Sequence, residues 1–246
     1  MNKTLLVLIF TNFLHAELIL EITQGTEDPY RVALVRFEGN ENISKDINEV
    51  IRNNLTRSGE FKIFGNDDLI SYPSDATQVI FNDFKILDID YLIIGKIVEE
   101  GASISVVYEI YDINKRKKIR TSTVFGIPNR NRQLSHYISD GIYEEITGIK
   151  GISSTKILYV TEKDNFNLVI ADADGSNEQV LLKSKDPIIS PSWSPDSKKV
   201  AYVSFETGMA KVYIQNIASG QRELAIENPS QISSPSWSPD GKFLSL

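Results

Sequence analysis

The chain has 246 residues, 41% hydrophobic and 24% charged, with a formal net charge of −7 and no cysteine. That length and composition suit one or two soluble domains with real cores. The acidic balance argues against a general nucleic-acid or anionic-membrane binder, and the lack of cysteine excludes disulfides, thiolate catalysis and zinc–thiolate sites.

Residues 1–16 stand apart from the rest. Lys3 is their only charge, an apolar run extends from Leu5 to Leu14, and His15-Ala16 precedes Glu17. A short positive start, an apolar core and a small residue before the cut make the pattern of a secretory signal, cleaved between Ala16 and Glu17. The run is too short for a bilayer span, which takes about 20 apolar residues. No later segment is apolar enough to cross a membrane, so the expected mature chain is exported and soluble.

Residues 17–148 read as one α/β domain. Leu18 to Thr23 alternates as a strand, and Arg31 to Phe37 is an apolar, partly β-branched run that reads as a buried strand. Ile43, Ile47, Val50, Ile51 and Leu55 fall on one helical face, and Ser58-Gly59 ends that helix. Phe61 to Phe64 predicts a short strand, and Thr77 to Leu87 a weaker helix. Tyr91 to Val98 is a third apolar strand. Ser103 to Asp112 and Lys118 to Phe125 alternate around Asn114-Lys115-Arg116 as a hairpin. Leu134, Ile138, Ile142 and Ile146, at four-residue spacing, predict a last helix that stops near Gly148. A sheet with helices packed on it follows from this order.

Residues 149–155, IKGISST, read as a short linker, and beyond them only short strands are expected. The heptapeptide SPSWSPD occurs at Ser190–Asp196 and returns 44 residues later at Ser234–Asp240. Ile157–Val160 aligns with Val200–Val203, Leu168–Ile170 with Val212–Ile214, and the turn Asp174-Gly175 with Ser219-Gly220. Three or four short strands in such a period are typical of a β-propeller blade. Within the repeat, Pro195 and Pro239 preset a turn, Asp196 and Asp240 cap it, and Trp193 and Trp237 are expected to pack between neighbouring blades. Residues 156–246 thus hold about two blades, and Lys242–Leu246 is expected to be the first strand of a third. Propellers close with about four to eight blades. The chain therefore reads as an α/β domain followed by an incomplete all-β propeller, as though truncated.

Candidate chemistry is sparse. His136 is expected at the surface or half-buried on the last helix, and not as a general base. Asp172-Ala173-Asp174-Gly175 begins like a calcium loop, but its glycine sits at position four where an EF-hand needs it at six, so an inter-strand turn is expected. Glu99-Glu100 and Glu144-Glu145 read as solvated ends, and Lys115, Arg116, Lys117, Lys118 and Arg120 as a solvated hairpin tip. Phe205, Glu206 and Met209 lie in an inter-strand loop and are expected to fill it. No Gly-x-Ser-x-Gly elbow occurs, which weakens the alternative of a propeller-containing serine hydrolase whose catalytic domain lies beyond Leu246. No enzyme activity, cofactor, metal, small-molecule substrate or nucleic-acid partner is expected.

Several of these features together resemble the TolB family of the periplasmic Tol–Pal system. They are Leu14-His15-Ala16-Glu17, the stretch TGIKG at Thr147–Gly151, SPSWSPD followed by KKVAYVSFETG at Lys198–Gly208, and SPSWSPDGK at Ser234–Lys242. The resemblance spans essentially the whole chain, although the family's propeller has six blades. It implies a periplasmic scaffold for outer-membrane invagination at cell division and for outer-membrane integrity. It implies that TolA is bound through the mature amino terminus, here Glu17, Leu18, Ile19, Leu20, Glu21 and Ile22. It also implies that Pal is bound through the propeller, whose contact residues are mostly absent here. A chain that ends at Leu246 in the cell is expected to keep TolA and lose Pal.

Overall fold

The computed structural model describes residues 28–127, 130–227 and 234–245. The expected signal segment with its expected Ala16–Glu17 cut, the strand expected at 18–23 and the segment Glu17–Ile22 lie outside the described residues.

The first sheet grows from the apolar runs. Strands β1 (Tyr30–Leu34), β2 (Phe61–Phe64) and β3 (Tyr91–Glu100) are parallel. Strands β4 (Ser103–Asp112) and β5 (Lys117–Gly126) add antiparallel, giving the order β2-β1-β3-β4-β5. Side chains alternate across such a sheet. Val32, Leu34, Ile93, Ile97, Val106, Tyr108 and Ile110 therefore join one buried cluster, while Ala33, Val35, Leu92, Ile94 and Tyr111 join another on the opposite face.

Helices α1 (Glu41–Arg57) and α3 (Asn131–Thr147) cover the first face with Ile47, Ile51, Leu55, Leu134, Ile138, Ile142 and Ile146. The side chain of Asn40 caps α1 by accepting from the amides of Asn42 and Ile43. Gly148, at φ 75°, ends α3 in the left-handed conformation. The short helix α2 (Phe81–Ile86) covers the second face through Phe84.

Two expected elements change shape. The helix expected over 77–87 is divided into a 3-10 turn at Ala76–Gln78 and α2. Asp75 caps the turn through the Thr77 amide, and the β-branched pair Val79-Ile80 then takes extended backbone. Strand β1 stops at Leu34 because Asn48 of α1 replaces ladder partners: its amide donates to Val35 O and its oxygen accepts from Phe37 N.

The second half is all strand. β6 (Lys156–Glu162), β7 (Phe166–Asp172) and β8 (Gln179–Ser184) form a three-stranded antiparallel sheet. β9 (Ile188–Trp193), β10 (Lys199–Ser204), β11 (Lys211–Asn216) and β12 (Arg222–Ile226) form a four-stranded one. β13 (Ser236–Trp237) pairs with β14 (Leu244–Ser245). This is the propeller-like part, and among the described residues it does not close into a ring.

The register corrects one expectation. Lys242–Leu246 is expected from the sequence to open a third unit, but SPSW is the end of β9, the first strand of its unit. Equivalence with Trp237 makes β13 the first strand of the next unit, so β14 is its second strand. The sequence hides this because Ser190-Pro191 reads as loop. Ser190 in fact sits at φ 52° and the β9–β10 pairing shifts register between Ala201 and Val203, a bulge that admits proline in a strand.

Among the described residues no helix is long and apolar enough to cross a membrane. Gly95 is a tight point of the first core, since a Cβ there would lie 2.9 Å from three ring atoms of Phe37. Gly95→Ala is expected to cost about 1–3 kcal/mol through overpacking. A urea titration will show this as a lower midpoint at unchanged slope.

Candidate functional site

The two SPD turns are built alike. The hydroxyl of Ser194 donates to Asp196 Oδ1 at 2.7 Å and accepts from Lys199 N at 2.9 Å, while Lys198 N donates to the same carboxylate at 3.1 Å. Ser238, Asp240, Lys242 and Phe243 repeat those bonds at the same distances. The Ser194 hydroxyl and the Lys198 amide hold the Asp196 carboxyl below the usual range, and Ser238 and Lys242 do the same for Asp240. Pro195 and Pro239 hold the backbone ahead of each aspartate. These residues shape hairpins and face no cavity chemistry.

The tryptophans tie units together. Trp193 packs against an apolar cluster of Leu168, Ile188, Val200 and Tyr202, which Leu158 and Val160 of β6 and Leu182 of β8 also join, so that one cluster spans two sheets. Trp237 Nε1 donates to Ser192 O at 3.3 Å, and the equivalent serines 190 and 234 touch through their hydroxyls at 3.1 Å. In the loop after β10, Glu206 is more than filling. It pairs with Arg222 at 2.8 Å, and that guanidinium lies 4.4 Å from the Tyr213 ring centroid. Met209 is exposed there.

The other concentration of polar groups lies where α3 meets the strands. Arg132, His136 and Asp140 recur every fourth residue, so they form a polar stripe beside the apolar stripe of the same helix. The β7–β8 turn brings Asp172 and Asp174 to that stripe. Gly175 makes the turn possible at φ 82°, its amide donating to Asp172 O at 2.8 Å. Asp174 pairs with Arg132, and Asp172 with Lys156 and the Asn177 amide.

His136 lies in the middle. The expectation of a surface or half-buried residue is wrong: it is 2% exposed, covered by Asn54 of α1 on one side and the turn on the other. Its Nε2 is 3.8 Å from Asp172 and 3.7 Å from Asp174 and has no hydrogen-bond partner. Burial pushes its pKa down, against the pull of Asp174 and Asp172. Asp174, although burial alone would raise it, is held below the usual carboxylate range by the Ser176 amide and Arg132.

His136, Asp172 and Asp174 bring three donor atoms within 4.8 Å of one another, near enough to suggest a metal centre. Their partners speak against it. Ser139 donates its hydroxyl proton to Ser135 O, so it accepts from Asn54 Nδ2. Arg57 donates to Asn54 Oδ1, which fixes the amide at its other end. The second Asn54 proton therefore points at His136 Nδ1, 2.8 Å away, and the ring proton sits on Nε2. A ring with its proton there cannot ligate through that atom, and both carboxylates already hold cations. The arrangement is a partly buried ion-pair junction.

The expected linker belongs to it. Asp140 accepts from the amides of Ser153 and Ser154 with its two oxygens, at 2.6 and 2.9 Å. Gly151 lies so near Asp140 that a Cβ would come within 2.5 Å of its Cα. Residues 149–155 are thus neither helix nor strand but are pinned to α3. Arg132, Asp140, Lys156, Asn177 and Asn54 were not among the sequence candidates; only the four-residue spacing of 132, 136 and 140 could have signalled them.

Other candidates disperse. Lys115 pairs with Asp112, Lys118 with Glu109 and Arg120 with Glu145, and Arg116 lies over Phe81, so four of the five hairpin cations have partners. Lys117, Glu99 and Glu100 are exposed.

The family model described as the TolB amino-terminal domain matches residues 18–119, and the one described as the TolB β-propeller domain matches residues 143–246. The chain belongs to the TolB family. It is 40% identical over 214 residues to the Tol-Pal system protein TolB of Alcanivorax borkumensis, covering 85% of this chain and 49% of that one. It is 38% identical over 212 residues to that of Pseudomonas aeruginosa, covering 83% and 49%. The crystal structure of TolB from Acinetobacter baumannii superposes with a TM-score of 0.82 at 33% identity, covering 91% of this chain and 56% of that one. The chain spans about half the length of the curated TolB relatives it matches.

Asp140→Ala is expected to free the 149–155 segment. Losing charge-assisted hydrogen bonds costs roughly 1.5–3 kcal/mol, about a ten- to hundredfold rise in local opening. Limited trypsin digestion, followed at the bond after Lys150, will read that rise as faster cleavage.

Proposed function

We propose that this TolB-family chain is a non-enzymatic periplasmic scaffold of the Tol–Pal system, joining TolA to Pal for outer-membrane invagination at division and for outer-membrane integrity. The supporting observation is that both portions match TolB proteins in chain order. In this reading residues 1–16 are removed after Ala16. Residues 17–148 form the amino-terminal domain, 149–155 connect it, and 156–246 supply part of a propeller that contributes to Pal binding.

TolA is assigned to Glu17–Ile22, an apolar, alternating segment able to add a strand to a partner's sheet. That segment leads into Asp28 and β1, beside a cleft lined by Tyr30, Arg31, Asp90, Tyr91 and Lys115. Its attachment at the start of a central strand would link partner binding directly to the first core. Most of the charged side chains described above are engaged in ion pairs and turns, which fits a binding protein.

Titration calorimetry of the chain starting at Glu17 against purified TolA tests the reading. Saturable binding is expected, with complete loss on deleting residues 17–22. Binding that survives the deletion, or no binding with Glu17 free, would contradict the assignment.

A further inference from the structure

We propose that His136 is a proton-sensitive latch: with its ring neutral, helix α3 stays docked against the β7–β8 turn through its neighbours' bonds, and protonation releases the propeller strands from the α/β domain. The inference stands on the junction geometry and does not depend on which partners the chain binds.

The groups facing the ring come from every element around it. Arg132 and Asp140 lie on its own helix, and Asn54 faces it from α1 with Arg57 behind. Asp172 and Asp174 face it from β7 and its turn, with Lys156 of β6 and Asn177 holding Asp172. A second proton must go on Nδ1, because Nε2 already carries one. Nδ1 faces the N–H of Asn54, whose amide cannot turn without losing both Arg57 and Ser139. The charged ring therefore has a donor against a donor on one side. On the other, its Nε2 is too far from either carboxylate for a hydrogen bond. A buried charge without such bonds is costly, and admitting water is the way to relieve it.

Which contact opens follows from the packing. On the α1 side, Ile47, Ile51, Leu55, Leu134, Ile138 and Ile142 share one apolar cluster. On the strand side, none of the three apolar clusters of the described residues includes both α3 and a propeller strand. The seam is held by Arg132–Asp174 and by the Asp140 bonds to residues 153 and 154. It is the weaker of the two contacts, so it yields first. The sign follows from linkage. Burial holds the docked ring neutral, so docking is complete above the ordinary histidine range near 6.5 and is lost as pH falls below it. His136 is the only histidine among the described residues; the other, His15, lies in the expected signal segment.

The chain has no cysteine, so Asp46→Cys and Lys185→Cys place one spin label on α1 and one between β8 and β9. Electron–electron distance measurement on the labelled chain is expected to give a single narrow distribution at about pH 7.5 and an added broad, longer component at about pH 5. In His136→Gln, which keeps a donor near Nε2 and removes the titration, the broad component should be absent at both. Asn54→Asp, which gives Nδ1–H an acceptor, should suppress the acid component in the presence of His136. An unchanged distribution at acid pH, the same broadening in His136→Gln, or undiminished broadening in Asn54→Asp would each overturn the proposal. If His136→Gln fails to fold, the parent chain and Asn54→Asp still decide it.

Discussion

Helix α3 has to satisfy two neighbours at once, and much of this structure follows from how it does so. Its apolar stripe fills the core of the five-stranded sheet, where Leu134, Ile138 and Ile142 are buried. Its polar stripe is covered too, His136 fully and Arg132 and Asp140 in part, and Arg132 and His136 face Asp172 and Asp174. Burying charge is favourable only when each charge has a partner with good geometry. That condition fixes where the β7–β8 turn must sit and where residues 153 and 154 must place their amides. The first apolar cluster builds the α/β domain, and the polar seam sets its attachment to the strands.

The propeller-like part is built on a different principle. The two units that begin with β9 and β13 repeat one hairpin, closed by a serine hydroxyl and an aspartate that together satisfy the turn amides. Repetition then makes equivalent residues neighbours, as Ser190 and Ser234 are, so one good unit-to-unit contact serves at every step. The tryptophans supply that contact with apolar area and a donor. Gln215 adds to it, accepting from Tyr202 within its own sheet and donating to Leu181 O in the sheet before it. A scaffold gains from such stacking because rigid neighbours can present a surface without any catalytic group.

Most of the architecture was legible in the sequence because it rests on periodicity. The four-residue spacing of Leu134 to Ile146 and the alternation of Ser103 to Asp112 state which face is buried, and the structure agrees with both. Misreadings arose where side chains replace backbone partners. Asn48 ends β1 early, Asp75 turns the chain before α2, and the bulge at Ser190 lets a Ser-Pro pair sit in a strand. The junction was the least legible. His136 reads as surface because its own helix does not bury it; Asn54 and the Asp172–Asp174 turn do, from positions 82 residues before it and 36 to 38 residues after it. Single-chain patterning records which face of a helix is apolar, but not which distant loop will cover the other.

The claim that a partly buried ion pair couples the α/β domain to the strands is tested most directly by a double-mutant cycle on Arg132 and Asp174. Unfolding free energies are compared for the parent chain, Arg132→Ala, Asp174→Ala and the double variant. The account predicts a coupling of about 1 kcal/mol or more, with the double variant no worse than the poorer single one. Effects that add to within about 0.3 kcal/mol would mean that the two side chains act independently, and that something other than this pair attaches the strands to α3.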